Sequence, residues 1–149
     1  MLSKKINTKN KIINHLTARG KKHTSEKIFL KTLKKLQKDS KKQSSKIFKL
    51  AIVMASPTFK LHTLKQKKRK KKKGKEIPAF ISKTKIRISL AIKNILLITQ
   101  KKKKRVTYLN LREEVLATAQ KKSETIERKN TTQEQILTKK HLLRYYRWN

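Results

Sequence analysis

The chain has 149 residues and carries 44 Lys plus Arg against 8 Asp plus Glu, a formal charge of +36. Such a field opposes compaction unless a polyanion supplies counter-charge, and solubility alone asks for a net charge of only roughly 2–8 in a small domain. The absence of cysteine removes disulfides, zinc fingers and thiol catalysis, and 2 glycines are too few for a glycine-rich phosphate loop.

In chain order, "KIINHL" places Ile12, Ile13 and Leu16 on one helical face, with Gly20 as the expected stop. "TSEKIFLKTLKKLQK" predicts a second helix, capped by Thr24 or Ser25, with Glu26 in its first turn. Phe29, Leu33 and Leu36 form its apolar stripe, with Leu30 beside them. "DSKKQSSK" reads as a polar linker holding Asp39. "SKIFKLAIVMAS" predicts a third helix stopped by Pro57.

Phe59 and Leu61 then alternate with Lys60 and His62. Beyond a lysine run, Ile77, Ala79 and Ile81 alternate with Pro78 and Phe80. The two period-two segments predict a β-hairpin over about residues 58–82 with a lysine-rich tip, its second strand confined to an edge by Pro78.

"TKIRISLAIKNILLITQ" contains the longest apolar stretch and is expected to be a central, buried helix, followed by "KKKKR" as a solvated junction. "TYLNLREEVLATAQKK" sets Tyr108, Leu111, Val115 and Ala119 at helical spacing, with Thr107 as the cap. "SETIERKN" reads as a loop. "TTQEQILTKKHLLRYYRWN" reads as a last helix opened by a Thr131–Glu134 capping box, with Ile136 and Leu143 inward. The expected architecture is all-α: a single domain over 1–149, a bundle of about six helices with a protruding β-hairpin between the third and fourth.

The stretch "ISLAIKNILLIT" is broken by Lys93 and Asn94 and is too short to span a bilayer, so no membrane insertion is expected. The N-terminus has no uninterrupted apolar segment and no arginine, and it is read as running into the first helix without a cleaved presequence. Lys, Ile, Asn and Thr are abundant, and their AT-rich codons suggest an AT-rich genome such as a mitochondrial one.

Acid–base chemistry is poorly supplied. Glu113 and Glu114 are adjacent on a helix and diverge, and His15, His23, His62 and His141 lack metal-ligand spacing. No catalytic, cofactor or metal site is expected. What remains is basic. One cluster is Arg19, Lys21 and Lys22. A second is the hairpin tip, with Lys65, Lys67, Lys68, Arg69, Lys70, Lys71, Lys72, Lys73 and Lys75. A third is Lys83, Lys85 and Arg87, and a fourth is Lys101, Lys102, Lys103, Lys104 and Arg105. Any one alone reads as a solvated face; four with so few acids between them call for a polyanion. In "LLRYYRWN", Tyr145, Tyr146 and Trp148 interleave with Arg144 and Arg147, which suits stacking on unpaired bases or packing of a helix end. A basic DNA-compacting nuclear or nucleoid protein fits the composition as an alternative, as does a membrane-surface protein whose central helix is exposed.

Three strings in order, "RGKKHTSEKIFLKTL", "ASPTFKLHTLKQKKRKKKKGKEIPAFIS" and "HLLRYYRW", together with "ISLAIKNILLIT", resemble ribosomal protein seven of the small subunit over about residues 10 to 148. The resemblance implies a non-enzymatic protein that binds the major 3′ domain of small-subunit rRNA and supports assembly of the head beside neighbouring head proteins. Its hairpin would lie near the exit-site tRNA and the mRNA exit path. By position it implies rRNA contacts for Lys21, Lys22, the hairpin lysines and Lys83 to Arg87. It adds Arg128 and Lys129 before the last helix, and Arg147 and Trp148 at its end. The chain departs from the pattern in its tip, where lysines replace a glycine pair, in a shorter N-terminal arm, and in the tail beyond "YRW", which is almost missing. Many arginines have also become lysines, which bind phosphate as point charges without a bidentate fork. With the residue usage, this divergence suggests a mitochondrially encoded form acting in the matrix, with plastid or bacterial cytoplasm as alternatives.

Overall fold

The computed structural model describes residues 8–40, 43–64, 75–102 and 106–145. Along the chain these form α1 (Thr8–Leu16), α2 (Lys22–Asp39), α3 (Ser44–Ala55), β1 (Phe59–Leu64), β2 (Lys75–Phe80), α4 (Thr84–Lys101), α5 (Thr107–Ala119) and α6 (Glu124–Thr138), closed by a 3₁₀ helix at Lys140–Tyr145. The expected helical bundle with a hairpin between the third and fourth helices is the architecture observed.

The core is where the apolar periodicity put it. Ile12 and Ile13 of α1, Phe29 and Leu36 of α2, and Ile47, Phe48, Ala51, Ile52 and Ala55 of α3 bury one face each. They meet Ala91, Ile92, Ile95 and Leu96 of α4 and Leu111 and Val115 of α5. The rings of Phe29 and Phe48 meet edge to face at 5.5 Å between centroids, a favoured aromatic geometry. Helix α5 packs against α2, α3, α4 and α6, and α4 against α1, α3, α5 and α6. Leu33 is only partly buried and Leu30 is exposed, so the α2 stripe is narrower than its leucines suggested.

Several boundaries differ from expectation, each for a local reason. Helix α1 stops at Leu16, where Thr17 returns both its amide and its hydroxyl to the carbonyl of Ile13. Gly20 (φ 72°) instead belongs to the turn into α2 and shares the left-handed region with Arg19 (φ 50°). Helix α2 begins at Lys22, before the expected caps, so Thr24 and Ser25 lie inside it and Ser25 is buried. Asp39 is its last residue rather than part of a linker, and its carboxylate pairs with the guanidinium of Arg112 on α5. Val106, not Thr107, precedes α5, with no side-chain cap.

The largest difference is at α6. The segment read as a loop is its first half: Ser123 is the cap, accepting from the Ile126 amide at 3.4 Å. Thr131 therefore sits in mid-helix, where its hydroxyl donates to the Glu127 carbonyl at 2.9 Å, and it opens no capping box. The signal was hidden because this helix start is fastened by polar groups. Buried Thr125 donates to Oε1 of buried Glu114 at 2.7 Å, and Thr118 to Oγ of Ser123 at 3.0 Å. The last helix does not run on into "HLLRYY"; α6 ends at Thr138, with Ile136 buried, and the 3₁₀ helix follows. Among the described residues no helix is long and apolar enough to cross a membrane.

Candidate nucleic-acid interface

The hairpin strands pair antiparallel from Phe59 opposite Phe80 to Leu64 opposite Lys75. The Ile81 amide bonds to the Thr58 carbonyl at 3.0 Å, which extends the ladder by one pair. Hydrogen-bonded pairs alternate along such a ladder, so Pro78, opposite Leu61, falls at a non-bonded position where its missing N–H interrupts nothing. Ile77, Pro78, Ala79 and Ile81 are buried, and the rings of Phe59 and Phe80 meet at 5.5 Å. The root of the arm is therefore part of the packed body: β1 lies against α6 and β2 against the 3₁₀ helix. Lys139 adds an ion pair to Glu76 of β2 at 2.6 Å.

Two of the expected contact residues converge beside this root. Arg87 of α4 donates through Nε to the Pro57 carbonyl at 3.2 Å, and Lys129 of α6 donates through Nζ to the Met54 carbonyl at 2.7 Å. Both cations thus serve the carboxyl end of α3, where unpaired carbonyls and the helix dipole favour positive charge. Burial pushes the Lys129 ammonium below the ordinary lysine value, and the charges of Arg87 and Lys121 push it the same way. A cleft of about 470 Å³ opens between β1, α4 and α6, lined by Lys60, Arg128, Lys129, Thr131, Thr132 and Gln133 among others. Pro57, Phe59, Leu61 and Leu90 line it as well, so cations, hydroxyls and amides suited to phosphate and ribose oxygens sit beside apolar surface.

Along α4, Lys83 and Lys85 are exposed. Helix α1 is tied to this segment by Lys11, whose ammonium donates to the Lys85 carbonyl at 2.8 Å, and by His15, 3.1 Å from the Ser89 hydroxyl. Arg19, Lys21 and Lys22 stand exposed on the turn that leaves α1. The structure thus brings Arg87 of α4 beside Lys129 of α6 at the root of the arm, with Arg128 lining the adjoining cleft.

Arg128 and two other expected residues pair with acids of the protein itself. Lys101 pairs with Glu124 at 3.7 Å, Arg128 with the same carboxylate oxygen at 3.4 Å, and Lys102 with buried Glu114 at 2.9 Å. Lys75 and Arg144 are described through their backbone only. Lys65, Lys67, Lys68, Arg69, Lys70, Lys71, Lys72, Lys73, Lys103, Lys104, Arg105, Tyr146, Arg147 and Trp148 lie outside the described residues. Sequence reasoning did not single out Lys11 or Lys121, which are set beside the others only by the packing of α1 and α6. Nor did it use Lys31, Lys34, Lys35 and Lys38, although their helical spacing was a readable signal.

The family model for ribosomal protein S7p/S5e matches residues 3–138. The chain belongs to that family. The match takes in the helical bundle through the last residue of α6, and the whole arm. An S7p/S5e protein is a structural, non-enzymatic constituent of the small ribosomal subunit that binds its rRNA beside other ribosomal proteins during translation, and this chain is accordingly an RNA-binding ribosomal protein. A search of the curated proteins finds no match.

Proposed function

We propose that the chain binds the 3′ major, or head, domain of small-subunit rRNA and supports assembly of the head, with its arm beside the exit-site tRNA and the mRNA exit path. The observation that carries this reading is the approach of Arg87 to Lys129, with Arg128 at the adjoining cleft, beside the root of a hairpin whose strands are joined by residues 65–74, a segment with eight lysines and arginines. The bundle holds the arm at a fixed angle through packed side chains, and the basic residues neutralise phosphates that would otherwise repel as rRNA helices approach. Contact residues are Arg19, Lys21 and Lys22 on the first turn, the arm's basic residues from Lys65 to Lys75, Lys83 to Arg87, and Arg128 with Lys129. Lys101 to Arg105 join them on the α4–α5 connection, with Arg144, Tyr146, Arg147 and Trp148 at the carboxyl end. Recognition proceeds by shape, phosphate and 2′-hydroxyl contacts, with stacking where a base is unpaired.

Binding of a transcript of the 3′ major domain across a salt series tests this. The expected result is a steep loss of affinity, with a slope of log K on log salt of roughly −0.7 to −0.9 per phosphate neutralised. Equal affinity for a transcript of the 5′ domain, or a flat salt response, overturns the assignment. The abundance of residues whose codons are AT-rich and the exchange of arginine for lysine support a mitochondrially encoded member of the family working in the matrix. Co-sedimentation of the tagged protein with the mitochondrial small subunit is the expected outcome, and its recovery on plastid or cytosolic ribosomes instead rejects that compartment.

A further inference from the structure

Helix α2 carries two opposed patterns with the period of the helix. Ser25, Phe29, Thr32 and Leu36 are buried, while Lys31, Lys34, Lys35 and Lys38 stand exposed in one row on the other side. Like charges three and four residues apart destabilise a helix. Among the described residues none of these four lysines has an acidic partner, and Asp39, the acid at the end of the same row, is taken by Arg112. The row therefore weakens the isolated helix and leaves its charge free for an external anion.

The row also has an aromatic wall. The four lysines and Tyr108 of α5 enclose a shallow groove of about 300 Å³. The Lys31 ammonium sits 5.8 Å from the centroid of the Tyr108 ring, an exposed cation–π contact weak enough to open for a ligand. Phosphate-binding ammonium groups along one side of an aromatic face are the two parts a single-strand site needs. Its position separates it from the surface around the arm: α2 packs against α1, α3 and α5, whereas the strands pack against α6 and the 3₁₀ helix.

We propose that Lys31, Lys34, Lys35, Lys38 and Tyr108 form a second RNA-binding surface, which takes a single-stranded or looped rRNA segment with phosphates on the lysines and an unpaired base on the Tyr108 ring. It rests on the reading of the chain as an rRNA-binding protein, and makes that protein a two-sided clamp between RNA segments.

The test uses the full chain and a transcript of the whole small-subunit rRNA. Two variants are compared with the parent after circular dichroism has shown unchanged helicity: Lys31→Gln/Lys34→Gln/Lys35→Gln/Lys38→Gln, and Tyr108→Leu. The quadruple variant is expected to make the salt slope shallower by roughly 3, from about 0.7 per single-strand phosphate. Tyr108→Leu is expected to weaken binding roughly five- to a hundredfold with an unchanged slope, as loss of one stacked base does. If the parent binds steeply and both variants match it, this surface is rejected while the rRNA-binding reading stands. If the parent itself does not bind, both fall. Protection of the four lysines in the assembled subunit without any change in RNA affinity assigns the row to an acidic protein neighbour and overturns the inference.

Discussion

The ammonium of Lys102, at the end of α4, lies 2.9 Å from Oε2 of Glu114 on α5, and the Glu114 side chain is 1% exposed. The second oxygen of that carboxylate accepts the Thr125 hydroxyl at 2.7 Å, so a single buried anion links three helices. A buried charge tolerates loss of a partner poorly. Because the Lys102 side chain keeps 42% of its surface in water, the effect is discounted from the fully buried case. Lys102→Met is expected to lower stability in urea by about 1–2 kcal/mol, and Glu114→Ala by about 2–3 kcal/mol, since it also strands Thr125 and leaves a hole. Lys101→Met, which loses only an exposed pair, is expected to change stability by less than about 0.5 kcal/mol. Equal effects at Lys101 and Lys102 contradict this picture.

A helix start supplies the second prediction. Ser123→Ala removes the cap of α6 and is expected to cost about 1 kcal/mol, while Thr131→Ala, in mid-helix, is expected to be within about 0.5 kcal/mol of neutral. The reverse order in thermal melts would restore the capping box at Thr131.

The displacement of that helix start shows where sequence reasoning loses its grip. The hairpin, α3 and α4 were legible because apolar residues repeat at the period of their element: Ile77, Ala79 and Ile81 for the strand, Ala91, Ile92, Ile95 and Leu96 for the helix. The first half of α6 buries Thr125 and the cap Ser123, whose burial is made tolerable by Glu114 and Thr118 of α5. Polar burial leaves no hydrophobic period, so the segment reads as a loop. The basic clusters were legible by position but not by occupation. Nothing in the string reveals that Arg87 and Lys129 reach back to carbonyls of α3 and its exit, or that Lys102 answers Glu114.

Lys129 gives a pH-dependent prediction. Its pKa is lowered on folding, by burial first and then by Arg87 and Lys121. Between the lowered value and the ordinary one, the unfolded chain binds more protons than the folded chain, so this group adds stability as pH rises through that window and nothing further above it. The stability of the parent relative to Lys129→Met is expected to be greater at pH about 10 than at about 8. A difference that stays constant or shrinks with pH contradicts the assigned direction.

The arm offers a separation of folding from binding. Replacing Lys67 to Lys73 with Ser leaves the strand pairing from Phe59 to Phe80 and the buried root untouched, so circular dichroism is expected to match the parent. Affinity for rRNA is expected to fall, with a salt slope shallower by roughly 0.7–0.9 for each phosphate that is no longer neutralised. A loss of helicity would mean that the basic run is part of the core.

Pro78 carries a further meaning for life before the ribosome. A two-stranded ribbon leaves each outer margin open, and a margin rich in free amides invites a neighbouring ribbon to zip onto it. At Pro78 the outward position offers no amide at all, and the residue is fully buried where β2 meets the protein body. The body closes the margin there, and the missing amide means that this closure strands no buried donor, so newly made chains waiting for their RNA show less open edge to each other.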